Sequence, residues 1–134
     1  MARNIHGMVH TISKLNKRFR TMKYQSEKFI FSNNYDWETV APGMRRKFMG
    51  FNDEIMMVKV EFDKGGIGVR HKHVHSQTTY VVSGKFEVSI DEEKQILNSG
   101  DGFYIPPHIE HGAICLEAGI LIDVFSPVRE DFLN

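Results

Sequence analysis

The sequence has little of several things that would declare a function at once. It carries one cysteine in 134 residues, Cys115, which excludes an internal disulfide framework and points to a reducing compartment, taken as the cytoplasm. No apolar run approaches the ~20 residues that span a bilayer, so no membrane partner is expected. Neither charge is in excess: 17 Lys and Arg balance 17 Asp and Glu, which argues against a dedicated nucleic-acid binder, usually basic. Four prolines and eleven glycines form no low-complexity tract, and no segment reads as a long amphipathic helix. What the chain has instead is 41% hydrophobic residues, length enough for one domain with a real core, and seven histidines.

The neutrality conceals a split. Residues 1–21 hold Arg3, Lys14, Lys17, Arg18 and Arg20 and no acid, so residues 22–134 carry 12 bases against 17 acids. This basic arm lacks the continuous apolar stretch of a secretory signal, because His10, Thr11 and Ser13 interrupt it. Three readings stay open for it: a targeting peptide, an interaction arm, or sequence upstream of a start at Met22. An interaction arm, packed as an extra or exchanged strand, is the favoured one, and it supports the expectation of a homodimer to which the arm contributes.

From Tyr24 onward the pattern is short and strand-like. Strands are expected over Lys28–Ser32, Arg45–Phe51, Ile55–Phe62, Thr78–Ser83, Phe86–Ile90, Gly102–Ile105, Ala113–Leu116 and Ile120–Phe125. Turn residues separate them, as in Asp63-Lys64-Gly65-Gly66 and Asn98-Ser99-Gly100-Asp101-Gly102. Many short strands at near-regular spacing predict an all-β sandwich or barrel in a single domain over 22–134. Met8, Met44, Met49, Met56 and Met57 read as core filler, and Cys115 as a buried thiol. Tyr35 and Trp37 read as a cap or a sugar-binding mouth. Tyr80 and Tyr104 are candidates for pocket hydroxyls. The Arg45-Arg46-Lys47 run is either solvated or the source of one group for an acidic sugar.

Five histidines fall in two groups, His71/His73/His75 and His108/His111. Side chains two apart on a strand share a face, so His71 and His73 can aim at one point. Gln77 has the same parity, but a straight strand would carry it ~20 Å away, so joining one metal shell requires a turn between Val74 and Ser76. His75 then sits in the turn. From the second group His111, leading an apolar strand, is better placed than His108 in the loop after Pro106-Pro107. Three imidazoles and a carboxamide oxygen suit one divalent Zn, Ni, Fe, Mn or Co. A neutral fourth ligand leaves the ion its full charge, which favours Lewis-acid work.

The tail adds two charged residues. Asp123 lies inside the apolar run Ile120–Phe125, where an acid is costly unless paired, metal-associated or functional, and it shares a face with Phe125. Arg129, beyond Pro127, either folds back to grip a carboxylate with its planar fork or pairs on the surface with Glu130 or Asp131.

These spacings resemble the cupin family. Gly65, His71-x-His73, Gln77 and Gly84 are similar to its first motif, with Gln where Glu is usual. Gly100, Pro106 and His111 are similar to its second, with His108 where Gly is usual. The resemblance implies a β-barrel of the jelly-roll or double-stranded β-helix type with the metal inside. Residues 44–132 resemble more narrowly the pectin-degradation cupins, through Gln77-x-x-Tyr80-Val81-Val82-x-Gly84, Pro107-x-x-x-His111-Gly112-Ala113 and Leu121-Ile122-Asp123-Val124-Phe125-Ser126-Pro127-x-Arg129. Those enzymes linearise 4,5-unsaturated monouronates from pectin or alginate into keto-uronates. That resemblance implies an acidic sugar as substrate, the metal ligands His71, His73, Gln77 and His111, and a functional trio of Asp123, Phe125 and Arg129. Asp123 is then the general acid and base, and Arg129 the carboxylate grip. Two rivals keep the same barrel: an iron-dependent cupin dioxygenase and a non-catalytic sugar-sensing module.

Overall fold

A computed structural model describes residues 21–134 of the chain. The basic arm expected over 1–21, apart from its last residue, and Met8 therefore lie outside the described residues. Eight strands follow in order: β1 (Glu38–Ala41), β2 (Met44–Asn52), β3 (Ile55–Phe62), β4 (Ile67–His71), β5 (Ser76–Ile90), β6 (Glu93–Asn98), β7 (Gly102–Ile105) and β8 (His111–Ser126). A single helical turn, α1 (Glu130–Leu133), closes the chain. The all-β expectation holds, and no helix among the described residues is long and apolar enough to cross a membrane.

β3 explains itself. Met56, Val58, Val60 and Phe62 are buried while Ile55 and Met57 face outward, the period of two that a half-buried strand requires. Each of the four buried side chains contributes about 1.5–3 kcal/mol of transfer free energy. Met57, 40% exposed, corrects its reading as core filler: its parity places it on the solvent face. Across the interior Phe86, Val88, Cys115 and Leu121 complete the core, with Phe62 and Phe86 edge-to-face at 5.2 Å.

Two long strands organise the rest. β8 pairs through its second half with β3 and with the first half of β5, then through its first half with β4 and the second half of β5. The pairing of β5 with β8 shifts register between Val81 and Phe86. There Gly84, at φ +87°, crosses Gly119; a Cβ on Gly84 would lie 2.6 Å from the Glu117 carbonyl oxygen, and one on Gly119 would overlap that of Ser83. Only glycines allow this approach, and through it one antiparallel sheet bends into the two walls of the barrel. This is why the sequence reads as two strands on either side of each bend while the structure has one continuous strand.

Four further differences have physical causes. Lys28–Ser32 forms no strand; Phe29 and Phe31 are exposed, and the only bridge nearby pairs Gln25 with Asn52. Aromatic, β-favouring composition does not make a strand without a partner edge. Conversely β1, β4 and β6 escape detection because they are exposed on most positions and so carry no alternation.

Candidate metal centre and barrel pocket

The inward faces of the strands enclose a cavity of about 290 Å³. Its lining is apolar on the β3 side, with Val58, Val60 and Phe62, and polar where β4, β5 and β8 converge. His71, the last residue of β4, pairs directly with His111, the first of β8. His73 is not on the strand as parity implied. It follows the end of β4, in a loop that bends at Val74 and His75, and its carbonyl accepts the His108 N–H at 2.7 Å. The bend that brings Gln77 back is thus located at Val74–His75.

The three imidazoles converge. Candidate ligand atoms of His71, His73 and His111 all lie within 4.8 Å of one another, a spread comparable to twice the ~2.1 Å bond from nitrogen to zinc. Each ring is oriented from behind by a backbone carbonyl: His71 Nδ1 to Val69 at 2.9 Å, His73 Nδ1 to His75 at 3.1 Å, and His111 Nδ1 to Ile109 at 2.9 Å. These contacts place the proton on Nδ1 and turn an Nε2 lone pair inward, as metal-binding histidines require. His111 Nε2 is buried with no hydrogen-bond partner.

Gln77 carries the sharpest sign of a cation site. Its Nε2 donates to Thr79 Oγ1 at 3.1 Å and Asp123 Oδ1 at 3.4 Å, which turns its Oε1 toward His73 Nε2 at 3.0 Å. With His73 protonated on Nδ1, two lone pairs face each other there. Either a proton or a cation must lie between them. Burial, then the charge of Arg129, holds His73 below its ordinary pKa, and burial pushes His111 down to about 4, so a proton is disfavoured at neutral pH. The donor set fits a divalent transition metal.

Beside this cluster, Asp123 reaches the cavity from β8. Thr79, not singled out from the sequence although it shares the parity of Gln77, donates to Asp123 Oδ1 at 2.7 Å. Burial raises the Asp123 carboxyl to about 6 in spite of the bonds from Thr79 and Gln77 and the charge of Arg129. Its remaining exposure is to the cavity it lines. Phe125, buried on the same strand face, stands edge-on to His73 at 5.7 Å.

Arg129 has the acid partner expected of it but does not lie on the surface. It folds back behind Val128, whose N–H bonds the Asp53 carbonyl, and its guanidinium carbon lies 5.0 Å from the Phe125 ring centre and 4.1 Å from that of Phe132. It also pairs with Asp131, Nε to Oδ1 at 3.1 Å and Nη2 to Oδ2 at 2.9 Å. Arg129 is nonetheless buried and lines the cavity, whereas Asp131 lies at the rim. Nη1 has no hydrogen bond among the described residues.

Several expected residues lie elsewhere. Tyr80 and Tyr104, 52% and 59% exposed, sit on the outer face and do not line the cavity. Trp37 is outside it too, under Lys47 and Lys59. His75 and His108 are not in the histidine cluster. Cys115 is buried, its thiol donating to the Glu117 carbonyl, and burial raises its pKa. Of the basic run, Arg45 pairs with Glu61 and Asp63, Lys47 bonds the Ser32 carbonyl, and Arg46 alone lines the cavity.

Comparison with known proteins agrees with this geometry. Residues 58–125 match the Cupin domain family. The chain is 44% identical over 108 residues to the pectin degradation protein KdgF of Dickeya dadantii, covering 79% of this chain and 98% of that protein. Among solved structures, an RmlC-like cupin from Shewanella frigidimarina is similar at 51% identity and a TM-score of 0.79, covering 81% of this chain and 97% of that one. KdgF from Halomonas sp. is similar at 42% identity and a TM-score of 0.76, covering 80% and 99%.

Proposed function

The chain belongs to the cupin family, and on that footing we propose that it is a metal-dependent enzyme of pectin or alginate breakdown that opens 4,5-unsaturated monouronates into linear keto-uronates. The observation that carries this reading is Asp123: a half-buried carboxyl that lines the cavity, hydrogen-bonded to Gln77 and Thr79 and flanked by the three-histidine cluster and a buried arginine. Likeness to proteins called KdgF supplies the substrate class.

His71, His73 and His111, with Gln77 Oε1 as fourth ligand, would hold the metal. When bound, the ion would supply Lewis-acid polarisation of substrate oxygens. Arg129 takes the substrate carboxylate through Nη1, the nitrogen that Asp131 leaves unused, and Phe125 forms a wall for the sugar ring. Asp123 removes the anomeric hydroxyl proton; the C1 carbonyl forms as the bond from C1 to the ring oxygen breaks. The electron pair passes to the C4–C5 enol, and Asp123 returns the proton to C4. Nothing is gained or lost overall, so the reaction is an isomerisation. A carboxyl in this position, held by Thr79 and Gln77 on one oxygen, can accept that proton and return it.

Purified metal-loaded protein should bleach the ultraviolet absorbance of 4,5-unsaturated galacturonate, and chelation followed by readdition of a divalent metal should abolish and restore the bleaching. Stable absorbance with the loaded protein would refute the reading.

A further inference from the structure

The cavity holds a second guanidinium. Arg46 sits on β2 opposite Val60, at an inward position among buried side chains, and its own side chain is only 15% exposed. It lines the cavity with Asp123 and Arg129, and apart from histidine these are the only ionisable residues that do so among the described residues. An arginine inside a barrel is costly unless its donors are used. Arg46 uses one of its five: Nε donates to Glu38 Oε1 at 2.9 Å, and Glu38 lies on edge strand β1 with its side chain 55% exposed. Both terminal nitrogens of Arg46 make no hydrogen bond among the described residues.

Arg46 and Arg129 meet on one ring. The guanidinium carbon of Arg46 is 4.0 Å from the centre of Phe132, and that of Arg129 is 4.1 Å from it. Phe132 is itself held edge-on to Phe125 at 5.7 Å. The two cations share an aromatic support, each has a carboxylate partner at the rim, and each keeps terminal N–H groups free. Two like charges gathered at one end of a cavity, with their counter-ions outside it, form an anion site. A carboxylate has about four lone-pair positions, which suits two forks at once.

We propose that Arg46 is a second positioning residue for the carboxylate of a monosaccharide acid, acting with Arg129 across Phe132 as a clamp of two guanidiniums. This rests on the reading of the pocket as a uronate site and extends it: discrimination between an acid and a neutral sugar depends on Arg46 as well as Arg129. The competing account is structural, in which Arg46 only ties β1 to β2 through Glu38.

Calorimetric titration of the metal-loaded protein with galacturonate and with its methyl ester separates the two, since neither saturated sugar can be turned over. Wild type should prefer the acid. Arg46→Gln should lose at least tenfold in affinity for the acid with that for the ester unchanged, and Arg46→Lys, which keeps the charge but not the fork, should fall between. Glu38→Gln removes the rim partner and leaves the guanidinium, so it should bind the acid at least as well as wild type. Melting temperatures confirm that each variant is folded. The proposal is overturned if wild type does not discriminate, if Arg46→Gln binds the acid like wild type, or if Glu38→Gln loses as much as Arg46→Gln. Weakened acid binding in Arg46→Gln alongside a wild type that leaves the unsaturated sugar intact would keep the clamp and refute ring opening alone.

Discussion

β3 and the second half of β8 lie side by side in the same sheet, Val58 opposite Asp123, yet they are built to different ends. The inward face of β3 is Met56, Val58, Val60 and Phe62, apolar throughout and buried. The inward face of β8 is Leu121, Asp123 and Phe125, with a carboxyl in the middle whose ionisation burial resists. One strand presents only apolar side chains to the interior and the cavity. Its neighbour gives up packing to place a titratable group beside the histidines. Between these two neighbours, a single side chain separates an apolar face from a titratable one.

The largest expected effect exchanges the two strands' roles. Asp123→Ala should lower ring opening by about 10²–10⁴-fold, the usual loss for a general acid–base group, with metal content retained. Met56→Ala, on β3, should leave turnover per folded molecule near wild type and cost about 2–5 kcal/mol of stability. Turnover assays, metal analysis and denaturant melts on both variants check this. A Met56→Ala protein that is stable but inactive would break the comparison.

A smaller effect lies in pH. An unfolded Asp123 ionises near 3.8 and the folded one at about 6, so between those values the folded state holds the extra proton. Stability therefore falls as pH rises through this window, by about 3 kcal/mol at 1.36 kcal/mol per pKa unit. His111 acts the other way: its folded value of about 4 lies below the ordinary 6.5, so its contribution rises with pH over that range. Both proteins share the His111 contribution, so it cancels in a difference. In metal-stripped protein, Asp123→Asn should gain on wild type by up to about 3 kcal/mol between pH 4 and pH 7 in urea melts. A constant difference would remove the claim that Asp123 is held at a cost.

The same contrast explains what could be read from the sequence. β3 and β7 were legible to the residue, and so was the convergence of His71, His73 and His111, because alternation and fixed spacing register in one dimension. The three exposed strands β1, β4 and β6 were not, since without a buried face there is no period to find. Tyr80 and Tyr104 were candidates for the cavity and point outward. Thr79 and Arg46 were the opposite case: parity with Gln77 pointed to the first, while Arg46 was one of three adjacent bases until the pairing with Val60 turned it inward.

The smallest expected effect is at His108, which takes φ +67° where the resembling motif has glycine. A non-glycine residue in this left-handed region costs about 1–2 kcal/mol, and glycine's extra freedom when unfolded returns part of it. His108→Gly keeps the N–H that holds the His73 carbonyl and should raise stability by about 0.5–1 kcal/mol in the same melts. A loss of stability would mean that the His108 side chain contributes packing.

The proton path through Asp123 is the centre of the account, and isotope labelling tests it directly. Metal-loaded protein opening the unsaturated sugar in D2O, followed by NMR at early times, should give product with deuterium at a single one of the two C4 positions, because one fixed carboxyl delivers it. Equal labelling of both positions would show that solvent, not Asp123, protonates the enol, and the role assigned to that residue would be wrong.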